Sequence, residues 1–322
     1  MSAPPTLADV FRARTQLDGA IARTPLMRHP LLAEAIGADV FVKHENHLPT
    51  GAFKVRGGLN LVATHARTQA GLPVITASTG NHGQSIAFAC QRYGVPCTVL
   101  VPRGNNPEKN AAMRAFGATV EEFGRDFDEA REEVERRAAT GRVRYVHSAN
   151  ETLLIAGVGT YALEIFEDLP DVDVVFVPIG GGSGAAGLVT VRDGLGSRAR
   201  IIGVQAANAD AFTRSWRTGE RIVGTRADTF AEGVATRVTF DLTFGILRTR
   251  LADIVTLTEA ELEEGVRLTL RTTHNLAEGA AAGTIAAAWK QREALRGQRV
   301  VCVMSGGNLN LPALARITGG PA

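Results

Sequence analysis

Four short segments of this 322-residue chain place polar or glycine-rich residues where an apolar run hands over to a loop, the point at which α/β proteins assemble binding sites. The first is VFVKHENHLPTGAFKVRGG: an alternating strand, a Pro-Thr-Gly turn, then Lys54 opening a helix. Lysine is scarce in this chain. Lys43, Lys54, Lys109 and Lys290 are the only four among 35 basic side chains, the other 31 being arginine. Where arginine fills the ordinary surface role, a retained lysine marks a place that needs a primary amine of adjustable pKa, and imine formation is one such need. Scarcity does not choose among the four, and alone Lys54 also reads as a surface lysine beside a turn.

In ITASTGNHGQSIAFA a strand ends at Ser78, and Thr79, Gly80, Asn81, His82 and Gly83 open the next helix. Hydroxyls, an amide and free N–H groups at a helix amino terminus can receive a carboxylate or phosphate. The simpler reading is a helix cap, which needs only one of these residues, and His82 alone reads as structural. In VVFVPIGGGSGAAGLV a strand runs into Gly180, Gly181, Gly182, Ser183 and Gly184 before another helix. Consecutive glycines let backbone amides wrap an anion and the helix dipole strengthens the field, so a phosphate is the natural guest. Gly182, Gly184 and Gly187 also fit the GxGxxG dinucleotide fingerprint. Against that rival, the motif begins in mid-chain, and the next strand, ARIIGVQ, ends at Gln205 rather than at an acidic ribose anchor. It also leaves Lys54, Asn81 and His82 without a task. Finally, VVCVMSGGNLN delivers Ser305 to a glycine turn, where its hydroxyl could meet a heterocyclic nitrogen or merely cap the turn.

These segments need elements to hold them. With 45% hydrophobic residues the chain can bury two modest cores, and its short apolar runs alternate with amphipathic segments as in parallel sheets covered by helices. Strands are expected at 73–78, 96–102, 119–123 and 143–148, with helices beginning near Asn81, Pro107 and Phe127 and helix stops at Gly94 and Gly141. That stretch forms a compact sublobe. Beyond it come a helix at 153–169, strands at 172–179 and 199–205, an alanine-rich helix at 280–288, and a last buried strand, RVVCVM, followed by one short helix. The 35 basic and 33 acidic residues leave +2 with no long run of like charge, which argues against nucleic acid. No amino-terminal h-region or membrane-length apolar stretch is present, so no membrane is expected and a cytoplasmic location is the default. Cys90, Cys97 and Cys302 lack CxxC spacing and read as buried small hydrophobes.

In order and approximate spacing, KHENHLPTGAFKVRGG, STGNHGQ, PIGGGSG and SGGN resemble the lysine, substrate, phosphate and pyridine-nitrogen motifs of the fold type II pyridoxal phosphate enzymes, specifically their serine/threonine dehydratase and serine racemase branch. The resemblance covers nearly the whole chain. It implies an α/β fold of the tryptophan synthase β type with two lobes, each a mostly parallel sheet flanked by helices. Residues 1–68 plus 150–322 would form the large, cofactor-binding domain and residues 69–149 the small one. By the same likeness the cofactor is pyridoxal 5'-phosphate and Lys54 is the catalytic Schiff-base lysine. Gly180, Gly181, Gly182 and Ser183 hold the phosphate, Asn81 contacts the ring hydroxyl, and Ser305 faces the ring nitrogen. Ser78, Thr79, Asn81 and His82 receive the substrate, and Asn150, in HSANETLLIAG, matches a family asparagine near the cofactor; Gly233 and Glu278 fall in matching stretches. The implied activity is elimination of water from a small β-hydroxy amino acid, with racemisation or β-replacement as the alternatives, in a homodimer.

Some positions depart from the family pattern. Ala52 stands where serine is frequent, and Ser183 replaces the last glycine of the phosphate loop. Thr79 occupies the place of the racemase serine that protonates the opposite face, so its hydroxyl keeps racemisation open. The racemase-like divalent-metal positions fall on Gln205, Ala209 and Ala211, where two carboxylates are lost, so no tightly held metal is expected.

Overall fold

Two sheets hold the strands of the computed structural model, which describes residues 3–319. In chain order the strands are β1 (Leu26–Arg28), β2 (Asp39–His44), β3 (Val74–Ala77), β4 (Cys97–Val101), β5 (Thr119–Glu122), β6 (Arg144–Tyr145), β7 (Val174–Pro178), β8 (Arg200–Ala206), β9 (Asp253–Leu257) and β10 (Arg299–Met304). The larger sheet runs β1-β2-β10-β7-β8-β9 and is parallel except for the edge pair β1–β2. The smaller runs β5-β4-β3-β6 and is wholly parallel. Parallel strands covered by helices on both faces are buried on both faces, which is why β7 and β10 read as continuous apolar runs rather than alternating ones.

The helix Lys54–Thr68 lies where the two halves of the molecule meet, and its VRGG sequence explains how. A Cβ at Gly57 would stand 2.7 Å from the Leu154 carbonyl oxygen, and one at Gly58 would stand 2.3 Å from the Ser85 hydroxyl. The missing side chains let this helix pack directly on Thr152–Asp168 on one side and on Asn81–Tyr93 on the other. Val55, Leu59 and Val62 are fully buried in those interfaces, each contributing about 1.5–3 kcal/mol of hydrophobic stabilisation. Ser85 then donates from Oγ to the Lys54 carbonyl at 2.6 Å, tying the start of the helix to its neighbour.

A group of buried charges fixes the same helix from below. Arg56 donates to both oxygens of Glu45, at 2.7 and 2.9 Å, and to both oxygens of Glu164, also at 2.7 and 2.9 Å. Lys43 completes the set through Glu164 at 2.5 Å and the Thr24 carbonyl at 2.7 Å. Two cations and two anions make the cluster neutral, the condition under which buried charge is tolerated.

Most expected elements occur within a residue or two of their anticipated ends. Gly94 is the left-handed cap of Asn81–Tyr93, as its position suggested. Two expectations are corrected. The acidic helix Phe127–Ala138 stops before Gly141, which instead turns the chain at φ 73° with its amide on the Ala138 carbonyl. Of the strand expected at 143–148 only Arg144–Tyr145 pairs, because the chain turns away at His147, whose Nδ1 accepts the amides of Ala149 and Asn150. Among the described residues no helix is long and apolar enough to cross a membrane.

Candidate active site

The carboxyl ends of β3, β4, β7 and β10 open on one cavity of about 970 Å³ between the sheets. Lys54 reaches into it from the first turn of its helix, because Phe53 donates its amide to the Ser305 carbonyl at 2.9 Å and Ala52 bridges Gly306. Its Nζ donates to Ser183 Oγ at 3.1 Å and to the Ser148 carbonyl at 3.3 Å. Neither partner carries charge, so burial pushes this amine down to about 8, against a weaker upward pull from the more distant Glu278 carboxylate.

Facing Lys54 is the glycine loop. Gly182, at φ 87°, caps the helix Ser183–Gly194 in the left-handed region, and the Gly181 carbonyl is turned outward to accept from Thr243 Oγ1 at 2.8 Å. The amides of Gly181, Gly182 and Ser183, which no backbone carbonyl among the described residues accepts, therefore line the cavity at a helix amino terminus. A Cβ at Gly180 would meet the Gly233 carbonyl at 2.2 Å, so the cradle closes only on glycine.

Across from the loop, the Ser78 hydroxyl accepts the amides of Gly80 at 3.1 Å and Gly83 at 2.8 Å, which shapes the turn. That leaves the amides of Thr79, Asn81 and His82 to face the cavity, and the Thr79 hydroxyl has no partner among the described residues. The Asn81 carboxamide is fixed from both ends: Nδ2 donates to Glu278 at 2.8 and 3.0 Å, and Oδ1 accepts from Asn308 at 2.7 Å. Glu278 is itself buried, which raises its pKa. Ser305, at the end of β10, is buried with a hydroxyl that has no partner among the described residues.

Two anticipated residues sit differently from the rest. The His82 ring points into the smaller sheet, where Nε2 donates to Thr76 Oγ1 at 3.0 Å, and burial drives its pKa to about 3, so it offers the cavity its backbone amide rather than an imidazole. Asn150 does not reach the cavity wall: its Oδ1 accepts the Leu242 amide at 3.2 Å and so steadies the segment that carries Phe240 and Thr243. At the racemase-like metal positions, the Gln205 carboxamide is engaged by Thr213 and the Ile179 carbonyl, and Ala209 and Ala211 offer no side-chain oxygen. Conversely, Asn308 and Lys109 line the cavity without having been singled out for it. The SGGN turn points to this cavity through Ser305 rather than Asn308, and the short lysine list contains Lys109 without singling it out.

Residues 17–306 match the family described as pyridoxal-phosphate dependent enzyme. The chain is 37% identical over 315 residues to an L-threonine ammonia-lyase of Thermotoga maritima, covering 97% of this chain and 78% of the relative. It is 32% identical to a beta-hydroxyaspartate dehydratase of Paracoccus denitrificans, covering 96% and 98%. Its fold is similar to that of threonine deaminase isoform 2 from Solanum lycopersicum, with a TM-score of 0.89, 27% identity and coverage of 98% and 95%. The cavity fits the cofactor these names imply, since it presents an uncharged-partner lysine with a lowered pKa, a glycine cradle that a Cβ would fill, and a serine on the cavity wall whose hydroxyl has no partner among the described residues. On sequence, fold and cavity alike, the chain belongs to the pyridoxal-phosphate-dependent enzymes.

Proposed function

We propose that the protein removes water from a small β-hydroxy amino acid, L-threonine, L-serine or a relative, and releases a 2-oxo acid and ammonia. The observation that carries this reading is Lys54, an amine with no carboxylate in contact, next to an amide cradle suited to a phosphate. The bound cofactor supplies an electron sink for negative charge at the substrate α-carbon. Lys54 would bind it covalently, and its Nζ is the amine placed to move the substrate α-proton; burial lowers the pKa of that amine to about 8 in the cofactor-free protein.

Gly180, Gly181, Gly182 and Ser183 would hold the phosphate, and Asn81, gripped by Glu278 and Asn308, would present its amide to the ring hydroxyl. Ser305 would face the ring nitrogen, where a neutral hydroxyl does not keep a proton as a carboxylate would. The amides of Thr79, Asn81 and His82, in the turn shaped by Ser78, receive the substrate carboxylate, and Thr79 Oγ1 is the donor on the face opposite Lys54. Asn150 acts through the segment it steadies.

The relatives' names favour threonine and extend the class to β-hydroxyaspartate. We further propose a homodimer in the cytoplasm, with residues 69–149 as a small domain against 1–68 plus 150–322. A screen of β-hydroxy amino acids against the cofactor-loaded protein tests the central reading: ammonia and 2-oxo acid should appear in equal amounts from at least one of them. A Thr79→Ala variant should keep that release while losing any racemisation. Absence of oxo acid from the whole series would overturn the assignment.

A further inference from the structure

We infer that Lys109 binds the substrate carboxylate and that Glu232 is the resting partner with which the substrate competes; this rests on the proposed use of the Thr79, Asn81 and His82 amides. Lys109 lies in the first turn of the helix Pro107–Ala115, which Asn106 caps. Its stem crosses the substrate turn at Gly80, where a Cβ would stand 2.9 Å from Lys109 Cδ and 3.6 Å from Nζ. The lysine in its observed position lies in direct contact with the backbone of the turn. Nζ donates to Glu232 Oε2 at 2.6 Å, with the lysine side chain 11% exposed and the glutamate 40%.

Glu232 belongs to the opposite wall. It opens the turn Glu232–Val234, and the carbonyl of its neighbour Gly233 is the atom packed against Gly180 of the phosphate cradle. The pair therefore joins the loop beside the cradle to the turn that faces the substrate. An ammonium has three N–H donors, and Glu232 is its one side-chain acceptor among the described residues. A carboxylate resting on the amides of Thr79, Asn81 and His82 arrives beside Nζ and competes with Glu232 for it. Arg237 offers a contrast in the same wall, since its guanidinium pairs with Asp128 and approaches Asp126, both also lining the cavity. That pair is a clasp between the lobes, whereas Lys109 is a clasp that can also hold a guest.

The test uses the cofactor-loaded enzyme and glycine, which has the carboxylate and amine but no β-hydroxyl to lose, with binding read from the change in cofactor absorbance. Lys109→Gln should weaken glycine binding about tenfold, the loss of one partly desolvated charge pair, and Lys109→Arg should recover most of it. Glu232→Gln should tighten binding by about two- to fivefold, because the competing carboxylate is gone. If the pair only fastened the lobes, both Lys109→Gln and Glu232→Gln would weaken binding alike, and that result would overturn the inference. Should Lys109→Gln fail to fold, Glu232→Gln decides alone: tightening supports the role, and unchanged or weaker binding rejects it. Failure of the wild type to bind glycine would count against the amino-acid site itself, and absence of oxo acid from other substrates would not touch the result.

Discussion

Lys43 and Lys54 stand a short distance apart in sequence, both are enclosed by the protein, and they show what separates a structural lysine from a reactive one. Lys43 is completely buried and charge-matched: its ammonium donates to Glu164 and the Thr24 carbonyl, and Arg56 and Glu45 bring the cluster to neutrality. Lys54 has a hydroxyl and a carbonyl for company. Burial lowers the pKa of both, but at Lys43 two adjacent carboxylates oppose it, whereas at Lys54 the nearest opposing charge, Glu278, acts from a distance. The first lysine keeps a proton for the sake of the fold, and the second is arranged to give one up. Arg56 links the two, since it anchors in the charge cluster the same helix whose first residue is Lys54.

The sharpest way to break this contrast is to remove each amine. Lys54→Ala should cut activity by more than about a thousandfold while leaving denaturant stability equal or higher, because no buried counter-charge is orphaned. Lys43→Met should do the reverse. It leaves Glu45 and Glu164 sharing Arg56 alone, a net buried negative charge, and should lower the unfolding free energy by about 3–5 kcal/mol. Similar losses of activity and stability in both variants would remove the distinction.

A smaller effect should appear in the pH dependence of the cofactor-free protein. The folded Lys54 value of about 8 lies below its ordinary 10.5, so between those limits the unfolded chain binds more protons than the folded one. Stability should therefore rise with pH across that window, by up to about 3 kcal/mol at its upper end, with the full penalty present below pH 8. The wild type minus Lys54→Met difference isolates this contribution from other titrating groups. A flat difference curve would mean that the resting amine is not desolvated.

What the sequence disclosed, and what it did not, follows the range of the interactions. The lysine motif, the glycine loop and the substrate turn are local devices, each a strand, a tight turn and a helix start within about fifteen residues, so each is visible in the sequence as a segment, and the family resemblance of all four motifs in order gives them their roles. VRGG looked like part of the lysine motif; its glycines turn out to be the contact surfaces for two neighbouring helices. The contacts that set the electrostatics are distant in sequence. Asn81 meets Glu278 across 197 positions and Lys109 meets Glu232 across 123, and no periodicity or motif encodes such pairings. Asn150 shows the converse. The family resemblance implies a place near the cofactor for it, but its carboxamide is engaged with Leu242, a partner visible only once the segment around 240 has folded back. His82 likewise sits in the right turn with its ring directed the other way, because its Nε2 is engaged by Thr76 of the smaller sheet and the Val146 carbonyl beside it, while Nδ1 stays buried without a partner among the described residues.

Borohydride reduction of the cofactor-loaded protein, followed by peptide mass mapping, bears most directly on Lys54. One reduced adduct should be found, on the peptide containing AFKVR and at Lys54. An adduct on Lys43 or Lys109, or a fully loaded protein with Lys54 unmodified, would contradict the assignment of the reactive amine.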